Sequence, residues 1–196
     1  SVNKLLLSNI KCVTTDIEYD NTPIVASDNF EGARSVINYL YKKGHRNIAH
    51  ISGPFHTMSS TERYEGTLQG FKDVGLTLDE NNFIESDMIN FEAAFKATQY
   101  LLSRFEEGDH PTAISVGADI MAIAAMKAIH SRGLSVPDDI SIIGFDDIEA
   151  ARYVTPELTT VRQNKVLIGQ QIAKSLYELM NKDEVQYHYR FLLDYF

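Results

Sequence analysis

The stretch TAISVGADIMAIAAMKAIHSRGLSVPDDISIIGFDDIEAARYVTPELTTVRQ, residues 112–163, decides the fold. Two short apolar runs, TAISV and ISIIGF, flank a longer run with helical periodicity. Each strand-like run ends in small or acidic residues: Ala118-Asp119 after the first, Asp146-Asp147 after the second. An open α/β sheet builds a ligand crevice this way, because loops leave the sheet at the carboxyl ends of its strands.

The alternation continues on both sides. β-prone runs are expected at residues 10–15, 24–26, 47–52 and 82–85 upstream, at 159–161 near the end of the stretch itself, and at 187–193 downstream. Between them, helical spacing is read over residues 30–43, 61–74, 91–105, 120–132 and 165–180, with Gly44, Gly75 and Gly133 placed to close three of these helices. In the second helix Tyr64, Leu68 and Phe71 are expected to face inward. Strands separated by helices imply right-handed βαβ units and a mainly parallel sheet.

Bulk properties narrow the function. A chain of 196 residues with 44% hydrophobic and 23% charged content is long enough to bury a core. Its net charge of −9 opposes a phosphate backbone, so these residues are not expected to bind nucleic acid themselves. Cys12 is the only cysteine, which rules out an internal disulfide and fits a reducing, cytoplasmic setting. No apolar run approaches the ~20 residues needed to cross a bilayer. The opening SVNKLLLSNIKCVTTD reads as the tail of a helix entering a strand, so the chain is expected to be a fragment.

Several strand ends carry polar residues. Asp16 follows VTT, Asp28 follows IVAS, the segment from Gly53 to Arg63 follows NIAHIS, and Asp119 and Asp146 follow the two runs quoted above. Carboxylates that accept from vicinal hydroxyls, beside an arginine that donates from a planar fork, suit a polyhydroxylated ligand. Asp119 stands at a helix start, where it either caps the helix or meets the ligand. Asp147 is read as a cap and Asp146 as the contact. Arg63 would by default face solvent, and only the hydroxyl-rich loop FHTMSST before it argues otherwise. No glycine-rich phosphate loop, GxSxG elbow or HExxH helix occurs, and Ser59 or Ser60 would need a histidine nearby to act as a nucleophile. His50, inside a strand, is read as packed. Neither an enzyme, a metal site nor a cofactor is expected.

Five segments in order, GHRNIAHISGP (44–54), RYEGTLQGFKDVGL (63–76), PTAISVGADIMAIAAMKAI (111–129), GLSVPDDISIIGFDD (133–147) and PELTTVRQ (156–163), closely resemble the lactose-repressor (LacI/GalR) family of transcription regulators. The resemblance implies a type I periplasmic-binding-protein-like fold of two lobes, parallel sheets flanked by helices. Residues 1–28 and 162–184 would form an incomplete N-terminal lobe, and residues 29–161 and 185–196 the C-terminal lobe. It further implies a sugar-like effector between the lobes, allosteric control of DNA binding in a homodimer, and operator contact only through an N-terminal helix-turn-helix domain that is missing here. No membrane partner is implied.

Carried over by position, Arg63 matches the arginine that holds the effector and Asp146 the acid that accepts sugar hydroxyls. Asp16 matches a strand-end acid of the other lobe, and Thr57 and Ser59 lie in a loop that supplies polar contacts. Ile89 falls near a stacking aromatic, a part that Phe91 would take instead. Two departures stand out: Ala118 replaces a frequent asparagine beside Asp119, and Lys165 replaces a phenylalanine of the lactose repressor, where it is read as solvent-facing. The alternative is a periplasmic sugar-binding protein of a transporter, which shares the fold. With strands of the N-terminal lobe missing, apolar surface is expected on Val13, Ile24, Leu167 and Ile172.

Overall fold

The computed structural model describes residues 8, 10–19, 22–106, 108–181, 188–191 and 194–195. The chain divides into two compact units, Ser1–Asp28 with Asn164–Leu193, and Asn29–Gln163 with Asp194–Phe196.

The larger unit is a doubly wound sheet. Its strands are β2 (Ile48–Ser52), β3 (Phe83–Glu85), β4 (Ala113–Val116), β5 (Ser141–Asp146), β6 (Thr159–Arg162) and β8 (Asp194–Tyr195), in the order β3-β2-β4-β5-β6-β8. All neighbours are parallel except β6 and β8, which run antiparallel. Helices α1 (Asn29–Lys42), α2 (Met58–Asp73), α3 (Phe91–Ser103) and α4 (Asp119–Ser131) connect the strands, with 3₁₀ turns at Glu80–Asn82 and Glu149–Arg152.

Strands β2 and β4 are buried at every position, the mark of a parallel strand covered on both faces. Helix α4 buries Met121, Ala122, Ala124, Ala125, Met126, Ala128 and Ile129, so its alanines let α3 and the sheet approach closely. Gly133, at φ 77°, turns the chain out of that helix as its sequence position suggests. On the other side, α1 and α2 meet at backbone distance. A Cβ on Gly66 would lie 2.1 Å from the Phe30 carbonyl oxygen, and one on Gly70 2.8 Å from Ile37 Cβ. The glycine ridge turns Leu68 outward, 39% exposed, contrary to the inward position expected from periodicity. His50 is buried in β2, its Nδ1 3.3 Å from Ser115 Oγ.

The smaller unit contains β1 (Ile24–Ser27), α5 (Lys165–Asn181) and β7 (His188–Phe191), with β1 and β7 parallel. The run expected as a strand at 10–15 contributes one parallel bridge, Thr14 to Ile24. The strand expected at 187–193 is divided: β7 joins β1 here, whereas β8 adds to β6 in the larger unit. The boundary expected at residue 162 falls after Gln163, because β6 extends through Arg162. Ile24 is only 1% exposed, since β7 and α5 cover β1, so it does not join the apolar surface anticipated there. Val13 and Ile172 are half-buried, and Leu167 is 44% exposed. No helix among the described residues is long and apolar enough to cross a membrane.

Candidate functional site

The carboxyl ends of β4 and β5 flank one side chain, Arg63 of α2. Thr57 starts that helix, its Oγ1 accepting from the Ser60 backbone N–H at 3.3 Å. Capping fixes the first turn, and Arg63 then projects across the strand ends rather than into solvent. It is 8% exposed. Its Nε donates to Asn29 Oδ1 at 2.9 Å, Nη1 to the Gly117 carbonyl at 2.6 Å, and Nη2 lies 3.0 Å from Asp146 Oδ1. The guanidinium plane rests on the Phe145 ring, 3.8 Å from its centroid. Asn29 is itself held, its Nδ2 donating to Glu62 Oε2 at 3.0 Å.

A guanidinium carries five N–H groups, and the bonds named commit three of them, leaving one on each Nη. Asp146 is similarly half-used. Oδ1 receives both Arg63 and the Gln163 side-chain amide, whereas Oδ2 has no partner among the described residues. The backbone turns sharply to present it: Asp146 has φ 120° and Asp147 φ 48°. Left-handed conformations in non-glycine residues cost roughly 1–3 kcal/mol each and persist only where the surroundings enforce them. Here the Asp147 N–H donates to Thr160 Oγ1 at 3.3 Å, and its carboxylate accepts from Arg162 Nε at 2.6 Å. Asp147 is therefore tied to β6 and not used as a helix cap.

Asp119, read as either a cap or a contact, has a third role. It is fully buried at the first residue of α4. Thr160 Oγ1 donates to its Oδ1 at 2.5 Å and the Ile148 N–H to its Oδ2 at 2.9 Å. Oδ1 thus ties the start of α4 to β6, and Oδ2 ties it to the loop after β5. Gly144 makes room for it, since a Cβ there would stand 2.3 Å from Asp119 Oδ1. Burial holds the Asp119 carboxyl above the ordinary aspartate range, against the opposing pull of its bonds from Thr160 and Ile148. Ala118, at the N-cap position of α4, is buried and offers no side-chain bond.

The other expected positions divide. Ile89 packs over Gly53 beside Ser60, with a Gly53 Cβ 3.0 Å from Ile89 Cγ1 and 2.6 Å from Ser60 Oγ. Gly53 borders Gly117, whose carbonyl holds Arg63, so Ile89, Thr57 and Arg63 share one rim. Ser59, half-buried, occupies the same first turn of α2. Phe91 stands apart. Its ring stacks on Phe95 at 6.4 Å, with Lys127 Nζ 5.6 Å from its centroid. Asp16 and Lys165 belong to the smaller unit, and the Lys165 side chain is exposed.

Asn29, Phe145, Gln163 and the Gly117 carbonyl form the site without having been singled out in the sequence. A short amide directly after the strand-end Asp28 was the available signal for Asn29. No group of three or more metal-ligating side chains occurs among the described residues.

Comparison with known proteins agrees with this architecture. Residues 37–194 match the family model for the periplasmic binding protein-like domain. The chain is 36% identical over 166 residues to the HTH-type transcriptional repressor PurR of Klebsiella pneumoniae (strain 342), covering 84% of this chain and 48% of that protein. It thus spans about half the length of that relative. Among solved structures, the transcriptional regulator CelR in complex with cellobiose superposes with a TM-score of 0.88 at 25% identity, covering 97% of this chain and 58% of that one. A periplasmic binding protein/LacI transcriptional regulator from Alkaliphilus metalliredigens QYMF, complexed with D-xylulofuranose, gives 0.83 at 29% identity, covering 95% and 68%. The chain belongs to the periplasmic-binding-protein-like domain family, in the form of a LacI/GalR-type effector-binding core.

Proposed function

We propose that this chain senses a small, hydroxyl-rich effector, a sugar or sugar derivative, for a bacterial transcription regulator. The observation that carries the reading is the half-used pair at the strand ends. Asp146 Oδ2 is an open acceptor, and Arg63 keeps an N–H on each Nη beside it. One ligand hydroxyl donates to the carboxylate while accepting from the guanidinium. Charged hydrogen bonds of this kind contribute roughly 1.5–3 kcal/mol each. Asn29, the Gly117 carbonyl and the Phe145 ring hold the fork before ligand arrives, so little side-chain entropy is lost on binding.

In the complete protein the effector would favour one arrangement over another and so change DNA affinity, by the amount of its differential binding. Operator contact would come through a helix-turn-helix domain outside these residues. The working form would be a cytoplasmic homodimer. The repressor relative and the sugar-bound regulator structures support this reading over a transport binding protein.

Thermal unfolding with a panel of neutral sugars, sugar phosphates and nucleobases tests it. At least one sugar should raise the melting temperature, as ligand at a hundred times its dissociation constant stabilises by about 2.7 kcal/mol. Arg63→Lys, which keeps the charge and loses the fork, should abolish the shift. A panel with no active sugar, or a shift that survives in Arg63→Lys, would count against the proposal.

A further inference from the structure

The chain enters the larger unit at Asn29 and first leaves it at Gln163. Both residues direct their side chains to the pair at the strand ends. Asn29 Oδ1 accepts from Arg63 Nε at 2.9 Å, and the Gln163 side-chain amide donates to Asp146 Oδ1. Arg63 Nη2, 3.0 Å from the same Asp146 oxygen, joins the two bonds into one line that runs Asn29, Arg63, Asp146, Gln163. Asn29 opens α1 but commits both ends of its amide to α2, its Nδ2 donating to Glu62 Oε2 at 3.0 Å. Gln163 follows the last ladder pair of β5 and β6, Asp146 with Arg162, and so extends the hold of β6 on β5 by one residue.

The line is stiff. A guanidinium is planar, so Nε cannot turn without Nη2. Arg63 and Asn29 are both buried, and the Phe145 ring lies against the guanidinium plane, so water does not stand in for a lost partner at that end. Without the Gln163 bond the Asp146 carboxylate is free to rotate about its side chain, and the fork must follow it or give up a bond. Hydrogen bonds linked in this way in a dry setting support one another. A change at one passage between the units is then felt at the other.

We propose that Asn29 and Gln163 are positioning residues that tie the effector pair to both passages, so that Arg63, Asp146 and the two passages order together. An effector that engages the pair steadies residues 29 and 163 as well, and Gln163 sets how firmly Asp146 is presented. The inference rests on the reading of Arg63 and Asp146 as the effector contact.

Solvent exchange of the Arg63 Nε–H, followed by NMR of the nitrogen-labelled protein without any sugar, tests it. This proton is bonded to Asn29, at the far end of the line from Gln163. Gln163→Met keeps the length and loses the donor, and should speed the exchange about ten-fold, the scale of one hydrogen bond to a charged group. Gln163→Lys restores a donor to the carboxylate and should stay within about two-fold of the native rate. The Ile114 backbone N–H, in the buried strand β4, should exchange at the native rate in both variants. Three outcomes would overturn the proposal: an Arg63 Nε–H unaffected by Gln163→Met, equal acceleration in Gln163→Lys, or equal acceleration at Ile114, the sign of general loosening. Because no sugar is present, this experiment and the sugar panel fail separately.

Discussion

Asp119 and Asp146 stand at the carboxyl ends of adjacent parallel strands, Asp119 opening the helix after β4 and Asp146 ending β5, yet they do opposite work. Asp119 is closed. A hydroxyl from β6 and a backbone N–H from the loop after β5 take both of its oxygens, and nothing of it reaches solvent. Asp146 is open, with one oxygen shared by Arg63 and Gln163 and the other presented at the rim. A carboxylate at a strand end is therefore not a ligand contact by position alone. What decides is whether the next strand supplies donors enough to use it up, and Thr160 on β6 does so for Asp119.

The largest expected effect breaks the closed member. Asp119→Ala strands the Thr160 hydroxyl and the Ile148 N–H, each a half-buried donor whose loss of partner costs roughly 1–3 kcal/mol, so about 4 kcal/mol of stability should disappear. Urea unfolding measures this directly. A loss under about 1 kcal/mol would mean that the loop after β5 is held by something else.

Acid should produce the next largest response, through another closed group. His50 is fully buried, and desolvation lowers its pKa to about 4. The unfolded chain takes up this proton near pH 6.5, while the folded chain resists until about pH 4. Stability is therefore complete above pH 6.5 and falls by about 3 kcal/mol as pH drops through that window. Asp119 contributes a slope of the opposite sign. With its folded pKa raised, the folded state binds the proton first, so its contribution is greatest at low pH and is lost as pH rises through the folded value. Denaturant midpoints measured from pH 7 to pH 4 should fall steeply in the native protein and much less in His50→Phe. An equal fall in both would remove His50 from the account.

The same contrast between local and distant partners explains which features the sequence revealed. Strands β2, β4 and β5 and their helices were legible because apolar runs, helical spacing and terminal glycines such as Gly133 are local signals. Leu68 was misplaced because α2 meets α1 along Gly66 and Gly70, a ridge that helical periodicity weighs as neutral. Arg63 is exposed by local rule and buried in fact. Its partners, Asn29, Gly117, Phe145 and Asp146, lie 34 to 83 positions away in the chain and converge only when the sheet forms. Strand-end position pointed to Asp146 and resemblance to a family to Arg63, but neither spacing nor resemblance pointed to the supporting Asn29 and Gln163. The division of the last strand between β7 and β8 had no signal, since both pieces read as β-prone.

If the half-used pair is the effector contact, as proposed, the open carboxylate binds effector and the closed one does not. Titration calorimetry with a sugar that stabilises the protein, run on Asp146→Asn and Asp119→Asn side by side, tests it most directly. Asp146→Asn should lose about 2 kcal/mol of binding free energy, roughly thirty-fold in affinity, with a smaller loss of stability than its neighbour. Asp119→Asn should bind the sugar within about three-fold of the native affinity while unfolding at lower urea. The reverse pattern, with affinity lost at Asp119 and retained at Asp146, would put the effector at the closed carboxylate and not at the open one.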